Sequence, residues 1–182
     1  MSNSLVKLVD YALLPAIILL LGKIAGVYLT VIIFDINIGF IQQPSSLLSL
    51  TPVVSNEFVQ LVSSYSDLFM FVLIGVGFSY VLAGAIYFHD THIKTSTINV
   101  LAKYNLLNLI KSSYHIYHAG IIWLAFTWIA DAVVLVDVLL NKTYPWIFIV
   151  TTLFTLSLSV VLLRDLFKEL DLQKKKYLKG EI

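Results

Sequence analysis

The 182-residue chain contains no cysteine, and only 13% of its residues are charged. The first absence excludes disulfides, thiolate metal ligands and cysteine nucleophiles. The second is informative because charged residues make up about 25% of a typical soluble domain. Hydrophobic residues account for 59% of the sequence, which is too much apolar surface for a protein exposed to water on all sides. The composition therefore predicts an integral membrane protein.

Several functional motifs are also missing. The chain has no phosphate-binding glycine loop, no nucleophile elbow and no His-Glu-x-x-His zinc protease motif. No apolar stretch carries regularly spaced arginines, which makes a voltage sensor a poor fit. Nothing outside the apolar stretches is large enough for a soluble catalytic domain. We expect no nucleic-acid partner and no stand-alone enzyme.

Four apolar stretches are long enough to cross a membrane, since a helix needs about 20 apolar residues to span the hydrocarbon layer. They cover approximately residues 11–34, 58–88, 116–140 and 146–163. We therefore predict an all-α integral membrane protein with four transmembrane helices in a bundle. Residues 1–182 form one membrane domain, and residues 164–182 form a basic tail.

Basic residues indicate the orientation of the four spans. The segment 35–57 has no lysine or arginine, and the connection between spans three and four has only Lys142. Lysines recur between spans two and three and in the tail, so both termini are predicted to be cytoplasmic. Apolar residues spaced along 95–111 predict a short amphipathic helix on the inner surface, whereas 35–56 is predicted as an ordered external loop or short re-entrant element. The expected location is a prokaryotic cell membrane or an organellar inner membrane.

Small residues recur at every fourth position on three of the spans, and this pattern favours close helix packing in lipid. The three sets are Gly22, Gly26 and Thr30 in span one, Gly75, Ser79 and Ala83 in span two, and Thr151, Thr155 and Ser159 in span four.

Charged residues inside the spans are costly in hydrocarbon and should face the bundle interior and pair. Counting from the span ends places Lys23, Asp67 and Asp131 at similar depths, and Asp137 nearer the outer surface in contact with water. One interpretation is a buried ion-pair cluster that fixes helix register. The other is a cation or proton site, because one lysine against two aspartates leaves one negative charge to be balanced.

All four histidines form two His-x-x-His pairs at span ends that are predicted to be cytoplasmic. His89 and His92 end span two, and His115 and His118 begin span three. Residues three apart share a helix face, so the two pairs can supply four nitrogen ligands to zinc, copper or iron, or axial ligands to haem. Residues that would orient these ligands are Asp90, Tyr114 and Tyr117. Interfacial histidines without a ligand, or a pH-sensing cluster, are the alternatives.

Three functions remain open. The first is a small membrane subunit that binds a metal ion or haem for electron transfer or metal handling within a larger complex. The second is a cation- or proton-coupled transporter or channel component that uses Lys23, Asp67 and Asp131. The third is an accessory subunit in which every polar group is structural. All three imply contact with the lipid bilayer, and either other membrane subunits or further copies of the chain as partners.

The histidine hypothesis predicts that protein isolated from its native membrane carries a cofactor. Haem would give a Soret band in the absorption spectrum, and a bound metal ion would appear in elemental analysis at roughly one per chain. If native material contains neither, the four histidines do not form a ligand site.

Overall fold

The computed structural model describes residues 3–36, 39–42, 50–53, 56–87, 93, 95–107, 110 and 113–178. Its elements, in chain order, are α1 (Asn3–Ile33), β1 (Gly39–Gln42), β2 (Leu50–Val53), α2 (Asn56–Tyr87), α3 (Thr95–Lys103), α4 (Ser113–Leu139) and α5 (Pro145–Leu178). Four of the helices are long and apolar enough to cross a membrane, over Tyr11–Ile33, Glu57–Tyr87, His115–Leu139 and Pro145–Leu172. The predicted four-span, multi-pass membrane protein is thus confirmed at the level of its helices.

The connections differ from the prediction in two places. Residues 35–56 were expected to form a loop or re-entrant element, but β1 and β2 pair there as antiparallel strands, with Gly39 opposite Val53. The short helix predicted over 95–111 is present as α3 but ends earlier, because Asn105 adopts a left-handed conformation (φ 55°) just after it. The helix of span four continues into the basic tail and ends at Leu178.

The long helices pack in a simple order: α1 contacts α2 and α4, α2 contacts α4 and α5, and α4 contacts α5. One buried cluster lies among α2, α4 and α5, where it contains Phe78, Leu82, Ala85, Ile116, Tyr117, Trp123 and Leu162. A second lies further along the same helices and contains Met70, Phe71, Ile74, Ala130, Val134 and Ile147. A small third cluster joins α1 to α2 through Val31, Ile36 and Val62.

The outer surface of the bundle is apolar. Large hydrophobic side chains are exposed along all four long helices, among them Leu20, Val76, Ile121, Leu153 and Val160. In water such a surface would be unstable, whereas a lipid bilayer covers it at no cost. This arrangement is the one expected of helices in contact with lipid.

The small-residue faces of α1 and α5 are buried as predicted. Gly26 allows the closest helix contact, since a Cβ atom added there would lie 2.8 Å from the Cα and 2.9 Å from the carbonyl oxygen of Ser66. Gly22, one turn earlier, faces the Cα of Met70 at 3.2 Å in the same way. Backbone-to-backbone contact of this kind contributes dispersion energy and positions polar side chains across the interface.

The helices do not all end at the same level. We call the end of the bundle at the α4–α5 connection, residues 140–144, the loop end. Lys23, Asp67 and Asp137 meet at this level, although Asp67 is eleven residues from the start of α2 and Lys23 ten residues from the end of α1. Because α4 ends only two residues beyond Asp137, α1 and α2 extend about 12 Å beyond the end of α4, at 1.5 Å per residue.

Replacing Gly26 should separate α1 from α2. We expect Gly26→Ala to destabilise the protein by about 1–3 kcal/mol, because the added methyl group meets the Ser66 backbone rather than a movable side chain. Thermal unfolding in detergent, followed by circular dichroism, measures the effect. Gly84→Ala is the matched control, since a Cβ there meets nothing within 4 Å. Equal stability of the two variants would contradict the close approach.

Candidate functional site

The main polar site is a lysine shared by two carboxylates. Lys23 on α1 donates to Asp67 Oδ1 on α2, and its Nζ lies 2.8 Å from Asp137 Oδ2 on α4. A single ammonium group therefore joins three helices. We call Lys23, Asp67 and Asp137 the charge cluster.

The α4–α5 connection completes the charge cluster. Asn141 has a left-handed backbone (φ 56°), which asparagine tolerates better than most residues, and this turn ends α4. Its geometry brings Thr143 back over the helix, where its hydroxyl donates to Asp67 Oδ2. The backbone N–H of Tyr144 also donates to Ser64 Oγ at 2.9 Å, so the connection is tied to α2 at two successive positions.

The backbone of α1 is held at the same level. Ser66 Oγ donates to the carbonyl oxygen of Lys23 at 2.8 Å, directly beside Asp67. The close approach at Gly26 makes this contact possible. The small residues of α1 and the Ser66 hydroxyl of α2 thus fix the backbone of α1 at Lys23. From this position the lysine side chain reaches both carboxylates.

Exposure differs among the three charged side chains. Asp67 is fully buried, whereas the side chains of Asp137 and Lys23 are 17% and 30% exposed. Within the isolated chain, the charge cluster is therefore covered by protein at Asp67 and partly uncovered at Lys23 and Asp137. Two carboxylates and one ammonium group leave one negative charge, which one proton or one bound cation would neutralise.

The membership of this cluster differs from the prediction. The structure brings Lys23 and Asp67 together, but within its described residues Lys23 forms no ion pair with Asp131. The second carboxylate that pairs with Lys23 is Asp137, which the sequence analysis placed in contact with water. The similar depths predicted for Lys23, Asp67 and Asp131 require all helices to end at one level, whereas α4 ends about 12 Å short of the corresponding ends of α1 and α2. Six residues along α4 also turn the side chain by about 240°, so Asp131 and Asp137 face different neighbours.

Asp131 lies instead between α4 and α5. Its Oδ1 accepts from the Thr151 hydroxyl at 2.6 Å, and its Oδ2 accepts from the Thr152 hydroxyl at 2.9 Å. The residue is only 3% exposed. Two hydroxyl groups rather than a cation thus satisfy this carboxyl group.

A second polar group lies at the opposite end of the bundle. The buried hydroxyl of Tyr117 on α4 donates to Asp165 Oδ2 on α5 at 2.8 Å. Glu169, one turn further along α5, is buried and close enough to act on the same hydroxyl electrostatically. On the α1 side, the rings of Tyr11 and His118 meet edge to face with centroids 6.2 Å apart.

The predicted histidine site is only half described. His89, His92, Asp90 and the side chain of Tyr114 lie outside the described part of the structure. His115 and His118 lie in the first turns of α4, and the Tyr117 hydroxyl between them donates to Asp165. Among described residues, no group of three or more His, Asp or Glu side chains could hold a metal ion. The metal or haem site stays a prediction.

Some polar partners were not recognised in the sequence. Nothing in the sequence indicated that Thr143 would donate to Asp67, because this contact depends on how the α4–α5 connection folds back. Asp165 and Glu169 could have been recognised, because they continue the buried face of α5 that runs through Thr151, Thr155, Ser159 and Leu162.

Fold and site together define a multi-pass membrane protein with a charge cluster in its interior. Comparison with protein-family models, with curated proteins and with solved structures found no match to this chain.

The membership of the charge cluster can be tested with double-mutant cycles. Lys23→Met combined with Asp137→Asn should show a coupling energy of about 1–3 kcal/mol, because the two groups interact directly. Lys23→Met combined with Asp131→Asn should be additive within about 0.5 kcal/mol. Unfolding in mixed detergent micelles measures both cycles. Strong coupling to Asp131 and none to Asp137 would restore the cluster expected from the sequence.

Proposed function

We propose that this protein is a transporter or channel component that moves protons, or a monovalent cation coupled to protons, across the membrane. The observation that carries the proposal is the Lys23 ammonium group shared between Asp67 and Asp137. Ionisable side chains within membrane helices are rare and commonly mark ion pathways, since their insertion is costly.

The charge balance supports ion exchange rather than a purely structural ion pair. A structural pair needs one carboxylate for one lysine, whereas here a second carboxylate competes for the same ammonium group. A proton or cation that enters beside Asp137 and Lys23 can replace part of this interaction, because both side chains are partly exposed. Asp67 stays held by Thr143 during the exchange.

The orientation suggested by the basic residues gives the site a direction. With both termini cytoplasmic, the loop end faces the outside, and ions reach the charge cluster from there. Partner subunits or further copies of the chain would complete the assembly in a prokaryotic or organellar inner membrane. The metal or haem subunit remains a separate proposal, which rests on the histidine spacing alone.

Purified protein in liposomes tests the proposal directly. A potassium diffusion potential set by valinomycin drives protons inward, and a trapped pH-sensitive dye records their entry. We expect wild-type vesicles to acidify faster than empty ones. We expect Asp67→Asn and Asp137→Asn to lower the rate by about tenfold or more, because an amide cannot carry the proton. Replacing external sodium and potassium with choline separates proton flux from cation-coupled flux.

The matched control is Asp35→Asn, which makes the same chemical change at an exposed position outside the charge cluster. Asparagine also suits the left-handed backbone at this position (φ 50°). Circular dichroism and size-exclusion profiles verify that each variant is folded. Wild-type vesicles that acidify no faster than empty ones, with or without sodium and potassium, would refute transport by this chain.

A further inference from the structure

Asp67 is the fully buried member of the charge cluster, and within the described residues each of its carboxylate oxygens has one partner. Oδ1 accepts from the Lys23 ammonium group, and Oδ2 accepts from the Thr143 hydroxyl. The Asp67 side chain has no exposed surface, whereas those of Lys23 and Asp137 are partly exposed. A proton that neutralises Asp67 therefore arrives either past Lys23 or through Thr143.

The Lys23 contact is the less favourable of these two routes. A charged ammonium group has three N–H donors and no acceptor, so it cannot receive a proton from water or from Asp137. Its positive charge also repels an approaching proton, most strongly where the dielectric constant is low. A route through a neutral lysine would remove the cation that pairs with Asp137 as well. Asp137 needs no such route, because its side chain is itself partly exposed.

The Thr143 contact, in contrast, continues to a second hydroxyl group. Ser63 Oγ lies 3.3 Å from Thr143 Oγ1, and the two hydroxyl groups are hydrogen-bonded. A hydroxyl group has one hydrogen, and that of Thr143 is donated to Asp67. Ser63 is therefore the donor to Thr143. The hydrogen bonds from Ser63 to Thr143 and from Thr143 to Asp67 are connected at each step, and both run toward the carboxylate.

Ser63 connects this pair of hydroxyl groups to the loop end. It lies one helical turn before Asp67 on α2, on the side of the α4–α5 connection. Ser63 is partly exposed and Thr143 is buried, whereas Asn141 and Lys142 beside it in the connection are exposed. The two hydroxyl groups thus lead from the buried carboxylate to a polar surface.

We propose that Ser63 and Thr143 form a proton relay that carries protons from the loop end to Asp67. The inference rests on the proposed function and assigns an entry step to one of its two carboxyl groups. A proton from water binds to Ser63 Oγ while the Ser63 hydrogen passes to Thr143 and the Thr143 hydrogen passes to Asp67 Oδ2. Each hydroxyl oxygen gains one O–H bond and loses one, with no redox partner. Once Asp67 has released its proton, rotation of the two hydroxyl groups restores the starting arrangement.

Two substitutions of Thr143 separate its hydroxyl group from its packing. Thr143→Val keeps the size of the side chain but removes the hydroxyl, so acidification in the liposome assay should slow by about tenfold or more. Thr143→Ser removes a methyl group but keeps the hydroxyl, so its rate should stay near that of the wild type. Equal slowing of both variants, with lower melting temperatures, would show a structural role and overturn the relay.

Ser63→Ala tests the outer step, because it leaves the contact of Thr143 with Asp67 in place. We expect acidification to slow by about tenfold here as well. The matched control is Ser157→Ala, which makes the same chemical change at an exposed position of α5 and should leave the rate unchanged. Slow acidification in Asp67→Asn together with the wild-type rate in Thr143→Val and Ser63→Ala would overturn the relay but not the transport function.

Protonation of Asp67 can also be followed without transport. Infrared spectra recorded after a rapid change from alkaline to acidic buffer show the C=O stretching band of protonated carboxyl groups, and Asp67→Asn identifies the part that belongs to Asp67. We expect this band to form about tenfold more slowly in Thr143→Val than in the wild type. Equal rates, or no band from Asp67, would overturn the relay. Slower formation in Thr143→Val, in a protein whose vesicles do not acidify, would support the relay and refute transport.

Discussion

The arrangement of the bundle depends on the shared interaction of Lys23 with Asp67 and Asp137. It joins α1, α2 and α4 through one ammonium group, and Thr143 adds the α4–α5 connection to the same point. In a low-dielectric interior, separating Lys23 from the two carboxylates would leave the ammonium group and the buried Asp67 carboxylate uncompensated. The close contact of α1 with α2, the early end of α4 and the fold-back of its connection are all arranged around that requirement.

Polar contacts join two helix pairs in different ways. The α1–α2 contact combines close backbone approach at glycines with the Lys23–Asp67 ion pair, whereas the α4–α5 contact uses Asp131, its two threonines, Ser159 and the Tyr117–Asp165 pair. Interhelical hydrogen bonds do stabilise helix pairs in lipid, but a packed apolar seam would do so without burying carboxyl groups. Both interfaces therefore bury ionisable groups, which are satisfied by an ion pair between α1 and α2 and by hydroxyl groups between α4 and α5.

The four spans, the short helix α3 and the burial of the intramembrane charges could be predicted because each depends on local composition or periodicity. The strands β1 and β2 could not, since four-residue strands leave too little pattern to detect. Lys23 pairs with Asp137 rather than with Asp131 because of where α4 ends relative to α2. No local sequence pattern indicates how two helices are offset along their axes. The histidine pairs illustrate the remaining limit: their spacing indicates shared helix faces, but not what those faces meet.

The sequence by itself determined that this is a four-span membrane protein with buried charges that must find partners, because hydrocarbon accepts neither a soluble surface nor an isolated ion. Only the tertiary structure decided which partners they find. Helix offset and rotation select Asp137 for Lys23, the α4–α5 connection delivers Thr143 to Asp67, and the facing of α4 and α5 leaves Asp131 to two hydroxyl groups. These are relations between helices, and a side chain's chemistry in the membrane is set by the neighbour it meets.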